Sequence, residues 1–185
     1  SSPCSYLISC FSILLLFSFT GNAYPSSYRQ ELCSNPPNDV VAENCLPGSP
    51  PSEWDVNGAG HDDVQGFSTR ASVAPGERAV FKVKLHPASP ALRVDIYRAG
   101  HYAGLGARRV GHAELLEDEG KAREGGGGGG TNAALSQPAC STANGVDDCG
   151  NWGDVAAWTV PQSAVSGLYF ARFVVPSSSS SSSSN

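Results

Sequence analysis

An all-β antiparallel sandwich is the fold class this sequence predicts, and three observations carry that prediction. Apolar and polar residues alternate with period two in at least four segments. Those segments recur at roughly twelve-residue spacing with proline- and glycine-containing turns between them, which suits a sandwich rather than strand–helix–strand units. No helix of ordinary length has a sustained amphipathic pattern.

Residues 1–23 read as a secretory signal. The uncharged run Tyr6–Phe19 is too short to span a bilayer but suits a signal's apolar region. Gly21-Asn22-Ala23 places small residues where a signal peptidase reads, so cleavage before Tyr24 is expected. No Met and no basic residue precede the apolar run, which implies an N-terminally incomplete signal; an uncleaved signal anchor is the alternative. Residues 24–64, rich in Pro, Asn, Ser, Gly and Asp, read as an extended, irregular arm.

The sandwich domain is expected over 65–176. Phe67, Thr69, Ala71 and Val73 alternate with polar neighbours up to the turn Ala74-Pro75-Gly76-Glu77. In Ala79–Leu85, Phe81, Val83 and Leu85 share one face. In Ala91–Tyr97, Leu92, Val94 and Ile96 point inward, with Arg93 and Asp95 outward. Arg108–Leu116 reads as a strand, although Ala113–Glu117 also has helical propensity. Residues 117–136 hold a charged stretch and then six glycines at 125–130, a flexible surface loop. Asp154–Val160 and Leu168–Val175 supply the last strands, Arg172 facing solvent or a partner. The eight serines at 177–184 make a tail, 177–185, that is disordered by composition.

A net charge of −5 with scattered basic residues excludes nucleic acid and anionic membrane as expected partners; once the signal is cleaved no membrane contact is predicted. Cys4 and Cys10 fall in the signal, leaving Cys33, Cys45, Cys140 and Cys149. Four cysteines in a secreted chain favour disulfides and allow three pairings. Proximity favours Cys140–Cys149 and Cys33–Cys45. A zinc site would need Cys-x2–4-Cys or nearby histidines, and neither spacing occurs.

Four motifs occur in order: Asn44-Cys45-Leu46-Pro47-Gly48 with Pro51-Ser52-Glu53-Trp54-Asp55; Asp95-Ile96-Tyr97-Arg98-Ala99-Gly100-His101-Tyr102-Ala103-Gly104-Leu105-Gly106-Ala107-Arg108; Asp147–Trp152; and Ser166–Arg172. Together they resemble the N,N-dimethylformamidase large (beta) subunit-like family, in its N-terminal immunoglobulin-like β-sandwich region. His101 and Ala103 stand where that family's turn has Tyr and Gly, and the glycine run is an insertion. The resemblance implies an amidohydrolase family acting on the C–N bond of a small amide, with its metal centre in a C-terminal domain. In that family the sandwich continues past this point, so the resemblance implies a fragment or a form that kept only the sandwich.

Candidate chemistry within the chain is sparse. Tyr97, Arg98, His101, Tyr102 and Arg108 offer rings and guanidinium groups for a binding surface; the competing reading is strand-end packing and a glycine-permitted turn. Gly60-His61-Asp62-Asp63 is the tightest set of metal-ligand or acid–base groups, though adjacent loop residues diverge and a solvated turn is the bland reading. Trp54, Trp152 and Trp158 read as core or rim packing. Gly100, Gly104 and Gly106 lack phosphate-loop spacing, and no nucleophile elbow is present. The expectation is therefore no catalytic residue and no cofactor in this chain. Two functions follow. One is a non-catalytic, accessory sandwich of such an amidohydrolase, partnered by a catalytic domain or subunit of the family. The other is a secreted or cell-surface module that contacts protein or glycan.

Overall fold

The computed structural model describes residues 26–56, 61, 63–87, 91–116, 134 and 137–175. The expected signal segment, the glycine run, the serine tail and Asp62 lie outside them. The chain divides into two units, Ser1–Asn35 and Pro36–Asn185. The described part of the first is helix α1 (Ser26–Ser34).

In the second unit the arm is not extended throughout. It forms α2 (Asp39–Asn44) and α3 (Pro51–Trp54). The Asn38 side chain accepts from the Val41 N–H at 3.0 Å, satisfying one of the orphan donors at the start of α2. Pro51 starts α3, where its missing N–H costs nothing. Helices of four to six residues have no useful intrinsic stability, so contacts with the sheet hold them.

Eight strands follow among the described residues: β1 (Val64–Ser68), β2 (Arg78–Leu85), β3 (Arg93–Ala99), β4 (Ala107–Leu115), β5 (Ser141–Ala143), β6 (Val146–Asp148), β7 (Asp154–Thr159) and β8 (Tyr169–Val174). Six of them form one antiparallel sheet in the order β1-β2-β7-β4-β3-β8. β4 is its corner: Ala107–Ala113 pairs with β3, and Glu114 and Leu115 pair with β7. Register breaks at Ile96/Tyr97 and Phe81/Lys82 bend the strands there, as bulges do. The sheet thereby folds into two layers that nearly close. β1 and β8 approach without pairing, and a Cβ at Gly66 would lie 2.8 Å from the Phe173 ring. The all-β class stands as the sequence predicts.

The core holds Phe81, Val83, Leu85, Val94, Ile96, Val155 and Trp158, including the inward sets read from the alternation of β2 and β3. The first strand is shorter than its alternation suggests and ends at Ser68; Val73 still packs against the core. Asp95 departs from expectation: it is 2 % exposed, not outward in water. The arm covers that face of β3, and Arg93 compensates the buried carboxylate in a bidentate pair at 2.9 to 3.1 Å. The 108–116 ambiguity resolves to strand β4.

β5 and β6 form a separate hairpin whose two turn residues, Asn144 (φ 53°) and Gly145 (φ 76°), both have positive φ. Asn-Gly is the preferred pair for such a turn. Cys140 and Cys149 are joined across its base, with Cα atoms 4.4 Å apart. Cys33 and Cys45 each take part in a disulfide as well. Among the described residues no helix is long and apolar enough to cross a membrane.

Candidate functional site

The 95–108 motif builds a cluster at the end of β3, and the other motifs close around it. β3 delivers Tyr97 and Arg98, both buried. The chain then turns through His101–Gly106 into β4, and from His101 to Arg109 it is tied to Asn44, Ser49 and Trp54. The Asn44 side chain accepts from the His101 N–H at 2.5 Å. The Ser49 N–H donates to the Ala107 carbonyl at 2.8 Å, and the Ser49 hydroxyl accepts from the Arg109 N–H at 3.0 Å. The Trp54 indole donates to the Ser49 carbonyl and lies over Gly106, where a Cβ would come within 2.8 Å of the ring. Gly106 also has φ 83°, so two separate constraints require glycine there.

A chain of charged and phenolic groups runs through the cluster. Arg98 Nη1 donates to the Tyr102 hydroxyl at 3.1 Å, and that hydroxyl donates to Glu43 Oε1 at 2.9 Å. Arg108 Nε donates to the same oxygen at 2.9 Å. Arg98 Nη2 donates to the Ser166 carbonyl at 2.8 Å, and the Gly167 backbone lies against the guanidinium. The Nε–H of Arg98 has no acceptor among the described residues. Burial pushes the Tyr102 phenol above its ordinary value; the bond from Arg98 opposes the rise and Glu43 adds to it. Arg108 is raised chiefly by its hydrogen bond to Glu43. Tyr169, which faces Arg98 across the β3–β8 pairing, is raised by burial.

On the neighbouring face, Tyr97 stacks on Phe170 with centroids 5.5 Å apart, and Trp54 tilts against Phe170 at 6.1 Å. The Glu53 carbonyl accepts from the Tyr97 hydroxyl and from Arg172. Arg172 thus meets the arm.

Of the five residues read as a binding surface, the structure brings Arg98, Tyr102 and Arg108 into one network and places Tyr97 beside it. Tyr97, Arg98 and Tyr102 are 1 %, 3 % and 0 % exposed, so they form no surface. Arg108 is half-buried, and only the His101 side chain is exposed. Glu43, the partner of Tyr102 and Arg108, was not singled out in the sequence; the one available signal was its position beside the 44–55 motif. His61 and Asp63 are exposed neighbours at 3.6 Å. Among the described residues no three of His, Cys, Asp and Glu converge. Trp152 and Trp158 are buried and Trp54 half-buried, in packing roles.

Residues 93–184 match the family described as N,N-dimethylformamidase beta subunit-like, C-terminal. The match contains β3 to β8 and follows the 44–55 motif; its description says C-terminal, where the motif reading assigns the family's N-terminal sandwich. Neither a curated protein nor a solved structure matches.

Proposed function

The chain belongs to the N,N-dimethylformamidase beta subunit-like family, and we propose that its sandwich is a non-catalytic, structural region of an amidohydrolase of that kind. One observation supports this reading above others. Side chains in and beside the family motifs are engaged with one another: Glu43 with Tyr102 and Arg108, Asn44 with the turn, Trp54 with Gly106 and Phe170, Arg98 with the Ser166 carbonyl. They clamp the arm to the sheet. Hydrolysis of a C–N bond needs a polarising centre and an activated water, and groups so engaged are not free to supply either.

A family described as a beta subunit works in an assembly, so the natural partner is a catalytic domain or subunit of the same enzyme. The disulfides fit an oxidising, extracytoplasmic compartment, and we assign the chain to the secreted fraction.

Turnover of formamide and dimethylformamide by the purified chain, followed as release of ammonia and dimethylamine respectively, tests the reading. No turnover is expected. Amine release that His61→Ala abolishes would make the sandwich itself the enzyme.

A further inference from the structure

The β5–β6 hairpin plays no part in the reading above. It belongs to a ribbon, residues 137–153, that leaves the sandwich just before β7. The base of the ribbon is anchored. Gln137 donates to the Val83 and Gly153 carbonyls, and Asn151 donates to the Ala139 carbonyl. Trp152 is buried, its indole donating to the Pro138 carbonyl, and Lys82 reaches from β2 to the Gly150 carbonyl at 2.9 Å. Above the Cys140–Cys149 disulfide that support stops. The strand residues of β5 and β6 are all exposed, and the side-chain bonds from Ser141 and Thr142 run only across the hairpin, to Asp148 and Asp147. A two-stranded hairpin that buries no apolar face is marginal in water. The disulfide therefore stands where anchored backbone gives way to backbone that little else orders.

At the tip lies Asn144-Gly145, an exposed pair. An Asn followed by Gly can lose its side-chain amide, because Gly has no side chain to shield the nitrogen that attacks. Among the described residues neither the Asn144 amide nor the Gly145 N–H makes a hydrogen bond. What withholds the reaction is the backbone. With Asn144 at φ 53° and Gly145 at φ 76°, the turn is of the kind in which ψ of the first residue is about +30°. That sets the Gly145 nitrogen and the Asn144 Cβ nearly opposite each other across the Cα–C bond. Closure of a five-membered ring needs them on the same side, so the turn must open before Asn144 can react.

We propose that Asn144 is a deamidation site held in check by the Cys140–Cys149 disulfide, so that reducing the disulfide commits the hairpin to a covalent change. A thiol reductant passes two electrons and two protons to the disulfide and becomes a disulfide itself, leaving Cys140 and Cys149 as thiols. The unstapled turn opens. The Gly145 nitrogen bonds to Asn144 Cγ, the Cγ–Nδ2 bond breaks, and the amide leaves as ammonia with the Gly145 proton. Water opens the resulting imide at either carbonyl, giving aspartate or isoaspartate. Either product adds a negative charge close to Asp147 and Asp148. Isoaspartate also lengthens the turn by a methylene, and the Ala143–Val146 pairing, whose register the turn length fixes, cannot re-form as it was.

The test follows the full chain at mildly alkaline pH by peptide mapping, which separates the Asn, Asp and isoaspartate forms at 144. A group in a closed turn reacts only from its open fraction. Conversion is therefore expected to be roughly tenfold faster in Cys140→Ser/Cys149→Ser than in the parent, and as fast as in a linear Ser141–Asp148 peptide. Dithiothreitol should bring the parent to the same rate and leave the double variant unchanged. Gly145→Val added to the double variant should abolish the fast conversion, because a branched side chain blocks the attacking nitrogen. Asn57-Gly58, the same dipeptide outside the described residues, is the reference. Equal rates in parent and double variant would overturn the proposal, as would fast conversion that survives Gly145→Val. So would acceleration of both dipeptides in the double variant, which would mean general unfolding, or a response of that variant to dithiothreitol, which would move control to Cys33 and Cys45.

Discussion

The side of the sandwich clad by residues 43–54 and the side where β1 approaches β8 are built from one sheet yet finished differently. On the clad side, Phe170 stacks on Tyr97 and meets Trp54 at a tilt, and Glu43 ties Tyr102 to Arg108. On the other side, the apolar residues of β8 stay partly exposed along a cavity, and Phe173 reaches Gly66 across an unpaired seam. The first is closure by directional bonds, whose worth depends on charge state and geometry. The second is closure by apolar area, indifferent to salt and pH but incomplete. An irregular segment with polar anchors can therefore complete a sheet face as well as a strand can.

The sharpest separation of the two sides comes from truncating one anchor in each. Phe81 is 6 % exposed and meets Phe173 edge-on at 6.2 Å. Phe81→Ala is expected to cost about 3 kcal/mol, the low end for buried Phe→Ala because part of its wall is already open. Urea unfolding at low and high salt should give the same loss. Should the cost fall below about 1 kcal/mol, the seam side would not be part of the stabilising core.

On the clad side, Glu43→Ala leaves the Arg108 guanidinium and the Tyr102 hydroxyl without their shared acceptor. Breaking a fully buried pair costs about 3–5 kcal/mol. The Arg108 side chain is 29 % exposed, so water recovers part of that, and about 2 kcal/mol is expected. In contrast to Phe81→Ala, the loss should shrink at high salt. A cost near zero at all salt concentrations would show that apolar contacts alone hold the arm.

Alkaline titration reads the same cluster without mutation. Tyr102 and Tyr169 have phenols raised above their ordinary value by burial. The native state therefore holds those protons more tightly than the unfolded chain. Their contribution to stability is fully present below about pH 10, the unfolded value, and is lost as pH rises from there through the native values. Stability measured against pH should fall more steeply above pH 10 in the parent than in Tyr102→Phe. Identical slopes would remove Tyr102 from the linkage.

Much of the apolar side was legible in the sequence, and much of the clad side was not. Alternation in β2 and β3 reports which residues face the core, because a period of two follows from strand geometry whatever covers the other face. It names Phe81, Val83, Leu85, Val94 and Ile96 correctly. The same rule sends Asp95 outward into water, and fails because residues 36–55 come back over that face. Nothing local in Val41–Asp55 announces this: α2 and α3 are too short for periodicity to show. Arg98 and Tyr102 were legible as unusual but not as buried, since their compensation by Ser166 and Glu43 depends on contacts 68 and 59 residues apart in sequence. Asn144-Gly145, between Cys140 and Cys149, is a readable hairpin signal.

The smallest effect concerns the turn that joins the two sides. Ala103 has φ 60° and ψ 27°, the left-handed region, and its side chain is exposed. A Cβ in that conformation crowds the following carbonyl and costs about 1–2 kcal/mol, whereas glycine adopts it freely. The exposed methyl gives up no packing in return. Glycine also has more to lose from the unfolded ensemble, which subtracts part of the gain. Ala103→Gly is therefore expected to stabilise the protein by about 0.5–1 kcal/mol, a rise in Tm of roughly 2–4 °C. The equivalent change at Ala113, 6 % exposed within β4, should destabilise instead, as glycine does inside strands. If Ala103→Gly left Tm unchanged or lowered it, the turn would not hold a left-handed residue at that position, and the path that carries Tyr102 under Arg98 would have to be redrawn.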